Sequence, residues 1–234
     1  MQPNLFPDKK EVRYLIIGNG PSRKNIDLNK FIYKGKYKKV IGCNGIWKEY
    51  PEVDHIICWD DTPLVDMVHH KFLKINVMGK IILPNIYEKR ALSSYNSGLY
   101  GVKFFSEFIE NGYKEHEVWK TDYYNADKHI DLIGFDCFFS NGTGNLCSYL
   151  EYGSKEERSP DAGEYQQEER VRALFDEFER HPDITYNIIC NGKNLSKKTN
   201  ELKRKCIKAN VVFEKNKVYP YFEKPVSVPI NYHG

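Results

Sequence analysis

Short apolar runs recur along the chain, and each ends in small or polar residues. The runs lie at residues 14–17, 39–42, 55–59, 80–83, 130–134, 186–190 and 210–213. Their apolarity is continuous rather than alternating, which is typical of strands that are covered on both faces, as in a parallel sheet. We therefore predict that these runs are the strands of a mostly parallel sheet.

Amphipathic patterns between the runs predict helices. Residues 97–110 place their apolar side chains on one stripe, with Asn96 as the N-cap and Gly112 beyond the end. A second stripe spans residues 164–180, and a short basic helix is predicted at 195–209. Strands that alternate with helices predict an α/β fold, here a Rossmann-like doubly wound sheet with helices on both faces.

Three segments do not follow the alternation. Residues 113–128 are polar and aromatic, which predicts an inserted hairpin or short helix. Residues 137–163 are rich in Gly, Ser and Glu, and an irregular stretch of this length is usually functional, so we predict a lid there. The proline-rich tail 215–234 is expected to be extended. A length of 234 residues suits one domain spanning 1–234.

Composition excludes several classes of protein. Hydrophobic residues make up 41% of the chain, but no apolar run approaches the roughly 18 residues of a membrane span. The first residues are polar where a signal peptide would be apolar. The six cysteines form no CxxC pair, so we predict reduced thiols in the core and a reducing, cytoplasmic location.

The net charge of +3 conceals an uneven distribution. Residues 23–39 and 193–208 are strongly basic, whereas residues 151–183 are acidic. Basic segments attract phosphates or anionic polymers, although an ordinary solvated lysine surface has the same composition. A nucleic-acid partner therefore stays open, but it is not favoured because no recognition motif accompanies the basic residues.

The first predicted strand runs directly into a glycine-rich turn, which consists of Gly18, Asn19, Gly20, Pro21 and Ser22. Glycines let the backbone approach a ligand closely and expose its N–H groups. The asparagine adds amide donors, and the serine is a candidate cap for a following helix whose positive end favours anions. The turn favours phosphate binding, but it matches neither named nucleotide fingerprint, and a tight connection without a ligand is the alternative.

Polar residues also follow the other predicted strands. Asn44 is a candidate for reading a base or ribose, Asp60 for holding a ribose or a metal ion, and Ser97 and Gly98 for presenting a helix N-terminus to a phosphate. The alternative for Asn44 is an ordinary turn, and that for Ser97 and Gly98 is a plain capped helix. At the end of the third strand the alternative is that Asp61, next to Asp60, caps the following helix. Because the carboxyl ends of parallel strands share one edge of the sheet, we expect these residues to lie together.

The fifth predicted strand ends in Gly134, Phe135 and Asp136. A carboxylate at this edge is suited to bonding ribose hydroxyls, to orienting another group or to acting as a base. An acid that merely caps the loop is the alternative. We therefore include Gly134 as a nucleotide-binding candidate and Asp136 as a catalytic one.

The strings LIIGNGPSRKNID, IGCNGIW, NSGLYGVKFFSEFIENGYKE and IDLIGFDCF resemble the glycosyltransferase family 42 sialyltransferases of bacteria. A looser resemblance extends to hydroxymethylpterin pyrophosphokinase-like proteins, which share the G-x-G-P-S turn. The resemblance covers about residues 13–137 and implies a nucleotide-binding domain. It implies that Asn19, Ser22 and Ser97 lie near the donor phosphate, that Asn44 lies near the base or ribose, and that Gly134 and Asp136 lie beside the nucleotide.

The family's catalytic base is a histidine in or just after the lid, and tyrosines assist the leaving phosphate. Here no histidine lies between His129 and His181, and Cys137, Phe138 and Phe139 stand where a tyrosine is expected. Candidate replacements for the base are the acids Glu151, Asp161 and Glu164. Those for the tyrosine are Tyr149, Tyr152 and Tyr165, and of both sets we favour Glu151 and Tyr152.

The resulting hypothesis is a nucleotide-dependent transferase, a glycosyltransferase with a CMP- or UDP-linked sugar donor and a glycan or small-molecule acceptor. Mg²⁺ stays open as a cofactor but is not required by the sequence. The alternatives are ATP-dependent phosphoryl or pyrophosphoryl transfer, in which Asp60, Asp61 and Asp136 would hold Mg²⁺, and a non-catalytic protein that binds nucleotides or nucleic acid.

Overall fold

In the described part of the chain, seven strands form one sheet in which every neighbouring pair is parallel. They are β1 (Glu11–Ile17), β2 (Lys39–Cys43), β3 (His55–Ile57), β4 (Ile81–Ile82), β5 (Asp127–Ile133), β6 (Ile184–Cys190) and β7 (Ala209–Phe213). Their spatial order is β4-β3-β2-β1-β5-β6-β7. The structure is a computed structural model that describes residues 11–20, 22–23, 26–33, 35–70, 81–91, 95–111, 126–140, 164–190, 194–206 and 209–213.

Helices pack on both faces of this sheet. They are α1 (Asn29–Ile32), α2 (Thr62–His69), α3 (Ile86–Ala91), α4 (Ser97–Asn111), α5 (Glu164–Arg180) and α6 (Lys197–Lys205). Short 3₁₀ helices, Asn44–Lys48 and Asp136–Phe138, follow β2 and β5. The predicted α/β class with a parallel sheet and helices on both faces is confirmed.

Two apolar cores lie on opposite faces of the sheet because side chains alternate along each strand. Tyr14 and Ile16 of β1 belong to the core that α4 and α5 cover, and Leu15 and Ile17 belong to the other. Both sets of side chains are buried, as the continuous apolar runs predict for a sheet covered on both faces.

The predicted helix boundaries are right for α5, and Asn96 caps α4 by accepting a hydrogen bond from the Leu99 N–H (2.9 Å). The helix expected at 195–209 is shorter, because Ser196 caps its start and β7 begins at Ala209. The expectation that Ser22 caps a helix is wrong for the described residues, because the Ser22 hydroxyl makes no hydrogen bond to any of them.

Four of the cysteines, Cys43, Cys58, Cys137 and Cys206, are free and buried, which confirms the predicted core thiols at those positions. Burial raises the pKa of Cys43, Cys58 and Cys137 to about 12. A thiol with so high a pKa stays protonated near neutral pH and is a weak nucleophile.

The order of the strands places a topological switch point between β1 and β5. From β1 the chain builds the sheet outward to β4, then returns to β5 and builds outward in the other direction to β7. Ligands of open α/β sheets bind at such a switch point, outside the carboxyl ends of the strands.

Parts of the sequence-based interpretation lie outside the described residues. Of the predicted lid the structure describes only residues 137–140, and the tail 215–234 is not described. The segment 113–128 is described only from residue 126, and β5 begins within it, at Asp127. None of the helices in the described part of the chain combines the length and apolarity that crossing a bilayer requires.

Candidate functional site

The loops that follow β1 and β5 are joined by backbone hydrogen bonds. The Gly18 N–H donates to Ile133 O (2.7 Å), and the Gly20 N–H donates to Gly134 O (2.9 Å). The two loops are therefore held together as one unit at the switch point of the sheet.

Contact between the loops accounts for their glycines. A Cβ at Gly18 would lie 2.6 Å from Gly134 O, and a Cβ at Gly20 would lie 2.5 Å from the same oxygen. Gly134 itself has a φ of +74°, a left-handed conformation that is unfavourable for residues with a Cβ. In the structure Gly18 and Gly20 let the two loops contact each other closely, and their predicted contact with a ligand stays a prediction.

Asp136 strengthens this junction. Its buried carboxylate accepts a hydrogen bond from the Ser22 N–H, at 3.1 Å for Oδ1 and 3.2 Å for Oδ2. The acid therefore ties the β5 loop to the β1 loop and engages an N–H that the glycine-rich turn would otherwise present to an anion. Its catalytic role stays a prediction.

The side chain of Asn19 is fully buried in the same turn, yet neither Nδ2 nor Oδ1 has a hydrogen-bond partner among the described residues. The buried Ser22 Oγ also lacks a hydrogen-bond partner among these residues. Each unpaired buried polar group costs about 1–3 kcal/mol, and such groups are uncommon in native proteins. Three of these atoms in one turn mark it as a candidate binding site.

Ser97 joins the ends of β2 and β3 to the start of α4. Its hydroxyl donates to Asn44 Oδ1 (2.6 Å) and accepts from the Trp59 N–H (2.8 Å). Asn44 has a φ of 47°, a left-handed conformation that asparagine adopts more readily than most residues. The predicted site residues Asn44 and Ser97 therefore lie together, and Asn44 remains partly exposed.

Phe135 lies between the glycine-rich turn and the start of α4. A Cβ at Gly18 would be 3.4 Å from Phe135 Cδ2, and a Cβ at Gly98 would be 3.1 Å from Phe135 Cε1. The two groups of predicted residues thus flank one aromatic ring, which places them on adjacent parts of the same sheet edge.

Asp60 lies exposed beyond the end of β3, and its neighbour Asp61 is paired with Lys89 (3.1 Å). Asp61 is the N-cap residue of α2, but its side chain makes no capping hydrogen bond. Within the described ranges, no three His, Cys, Asp or Glu side chains form a group suited to holding a metal ion.

Sequence reasoning missed Arg170 of α5. Its Nη1 is buried without a hydrogen-bond partner in the described part of the chain. Burial lowers the pKa of this guanidinium, while Cys137, Asp60 and Glu169 act to raise it. One turn earlier, Gln167 Nε2 donates to Cys137 O (3.0 Å) and Phe139 O (2.7 Å), which fixes α5 against the end of β5.

A signal for Arg170 was present in the sequence. The position lies one helical turn before Leu174, so it falls on the apolar stripe of α5, where an arginine is out of place. The other predicted residues, Pro21, Glu151 and Tyr152, lie outside the described residues.

Comparison with known proteins found no match, whether among family models, curated proteins or solved structures.

Proposed function

We propose that this chain is a nucleotide-dependent transferase whose nucleotide-sugar donor binds at the carboxyl edge of the sheet, beside the switch point. The observation that carries the proposal is the buried, unpaired amide of Asn19. A phosphate of the nucleotide sugar would accept hydrogen bonds from Asn19 Nδ2 and from the Ser22 hydroxyl, and a hydroxyl group of the nucleotide sugar would donate one to Asn19 Oδ1. The ligand would thereby satisfy groups that the fold leaves unsatisfied.

The second group of residues supports the placement of the rest of the nucleotide. Asn44, held by Ser97 at the start of α4, is partly exposed and carries amide groups of the kind that bond a base or ribose. The reaction would be substitution at the anomeric carbon. A base takes the proton of an acceptor hydroxyl, and the oxygen of that hydroxyl bonds to the anomeric carbon. The bond between this carbon and the phosphate oxygen breaks, and the nucleoside phosphate leaves with its electron pair.

The first test is a thermal-shift panel of CMP, CDP, UMP, UDP, ADP and ATP, with and without Mg²⁺. A ligand at 100 times its Kd stabilises the folded state by about 2.7 kcal/mol, which is readily measured. We expect at least one cytidine or uridine nucleotide to raise the Tm. If none of these nucleotides raises the Tm, the proposal is contradicted.

Asn19→Ala is the matching variant. Losing a hydrogen bond to a charged phosphate should weaken nucleotide binding about tenfold or more. The Tm without ligand should be unchanged or higher, because the substitution removes two buried polar atoms that have no hydrogen-bond partner among the described residues. Asn200→Ala, at an exposed position of α6, is the control and should bind as the wild type does. Unchanged affinity in a folded N19A protein would remove Asn19 from the site.

One observation favours a second candidate, a nucleotide-binding protein without transferase activity. The Asp136 carboxylate, the described candidate for a base, is buried and already accepts the Ser22 N–H. Nucleotide binding without hydrolysis or transfer of any donor sugar would favour this candidate. A response to ATP that requires Mg²⁺ would instead favour phosphoryl or pyrophosphoryl transfer.

A further inference from the structure

In the described part of the chain, Arg23 and Arg170 both have buried guanidinium nitrogens, but their surroundings differ. Arg23 is almost fully buried, and its guanidinium contacts the carboxylate of Glu49 (3.3 Å) and Gly18 O (3.4 Å). Arg170 Nη1 is also buried, but it has no hydrogen-bond partner among the residues that the structure describes. Because guanidinium groups remain charged in proteins, an unpaired one in a desolvated position is costly.

The surroundings of Arg170 place this charge at the edge of the candidate site. One turn earlier on the same helix, Gln167 Nε2 donates to Cys137 O at the end of β5 (3.0 Å). The charge of Asp60, beyond the end of β3, acts to raise the pKa of the guanidinium. The remaining charge that acts on it is Glu169, an exposed neighbour on the same helix. Arg170 therefore lies on α5, which covers the same face of the sheet as α4, one helical turn from the contact that this helix makes with the end of β5.

We propose that Arg170 binds a second anionic group of the ligand, separate from the phosphate expected at Asn19 and Ser22. This inference rests on the proposed function, because it assigns part of the same ligand. A guanidinium presents several N–H donors in a plane, which matches the two oxygens of a carboxylate or a phosphate. The ligand is thereby defined as one with two anionic groups, the second being a terminal phosphate or a carboxylate of the transferred sugar.

Matched ligand pairs separate these two sources. UMP and UDP, like CMP and CDP, differ by one phosphate, and UDP-glucose and UDP-glucuronate differ by one carboxylate. Affinities are measured by calorimetry for the wild type and for R170Q, R170K and R172Q. Arg172 is a matched control because it lies on the same helix with 58% of its side chain exposed and pairs only with Glu168 among the described residues.

We expect the wild type to bind the more anionic member of one pair more tightly than the other member. In R170Q this ratio of affinities should fall about tenfold or more, because the variant loses a hydrogen bond to a charged group. R170K keeps the charge and should retain part of the preference, and R172Q should retain all of it. Without ligand, the Tm of R170Q should be unchanged or higher than that of the wild type, because the variant removes a desolvated charge.

Three results would overturn the inference. If the wild type binds nucleotides but R170Q leaves every ratio unchanged, Arg170 does not contact the ligand, and the proposed function stands. If R170Q and R170K both lower the Tm by several degrees without ligand, the arginine is structural. If the wild type binds no nucleotide at all, the proposed function fails and the role of Arg170 fails with it.

Discussion

His129 of β5 is a partly buried imidazole whose charged form the fold disfavours. Burial lowers its pKa below the ordinary value of 6.5, and Arg13 lowers it further, which outweighs Glu11 at 3.0 Å from Nε2. In the pH range between the two pKa values the unfolded chain therefore binds more protons than the folded one. The stability that this difference provides is complete above pH 6.5 and is lost as the pH falls through the folded pKa.

We therefore expect the free energy of unfolding to decrease between pH 7.5 and pH 5, and to decrease less in H129Q than in the wild type. Urea unfolding at several pH values measures this. Glu11 does not contribute to this change, because its pKa is lowered from 4.5. The stability that depends on its charge is therefore lost only below pH 4.5. H69Q, at an exposed position, is the control. Parallel curves for the wild type and H129Q would contradict the assignment.

Single residues also show where sequence reasoning reaches its limit. Asp131 lies inside a run that predicts a buried strand, and it is indeed buried in β5. Its carboxylate accepts from Tyr37 Oη (2.6 Å) and Asn187 Nδ2 (2.6 Å), and Arg13 lies 3.3 Å away. No local pattern predicts these partners, because they come from distant parts of the chain. Arg170 was predictable as an anomaly in a stripe, but not its lack of a partner.

The two loops at the switch point form the element whose geometry is most restrictive. Gly134 and Gly35 both have a positive φ, of +74° and +63°, so an alanine is strained at either position. A Cβ at Gly134 would also lie 2.6 Å from Gly18 O, whereas nothing lies within 4 Å of a Cβ at Gly35. The difference between the two variants therefore measures how much the close contact between the two loops contributes to the free energy of unfolding.

G35A should lower the free energy of unfolding by about 1–2 kcal/mol, the cost of the left-handed conformation alone. G134A should lower it by at least about 1 kcal/mol more, because the added methyl group separates the loops. Urea unfolding midpoints at constant m-value measure both effects. If the free energy of unfolding falls equally in the two variants, the contact between the loops tolerates a Cβ at Gly134.

Among the elements, those with a clean pattern were predicted and those without it were not. α4 and α5 each present one apolar stripe, and their sequences gave nearly the observed bounds. α2 escaped prediction because Val65 and Val68 are apolar but more than half exposed, which blurs its stripe. Local periodicity therefore predicts helices that bury one face and misses those with apolar residues on the outer face.

The assembly of the site is a property of the whole molecule. Parallel strands end at one edge, so the sequence could predict that the polar residues after β1, β2, β3 and β5 share that edge. It could not predict that β1 pairs with β5, with Ile17 opposite Ile133, because that pairing joins residues more than a hundred positions apart. The bond from Ser22 to Asp136 depends on this pairing, and so does the position of Phe135.

The same architecture predicts which backbone amides a bound nucleotide protects from hydrogen exchange. Hydrogen exchange measured with and without nucleotide should show slower exchange at residues 18–20, 22–23, 96–101 and 134–140, which lie at the carboxyl edge of the sheet. Residues 36–40 and 126–130, at the opposite ends of the same sheet, should exchange at unchanged rates, because a ligand bound at one edge contacts no backbone at the other.

N19A at the same nucleotide concentration is the matched control for this experiment, and its carboxyl-edge amides should show a much smaller change. Protection that spreads equally over both edges would reflect general stabilisation rather than a local site. Protection confined to residues 36–40 and 126–130 would place the ligand at the wrong end of the strands and would contradict the proposed site. Protection of all the carboxyl-edge segments together would require one ligand to span the two loops at the switch point and the start of α4, as expected of a nucleotide that contacts both Asn19 and Asn44.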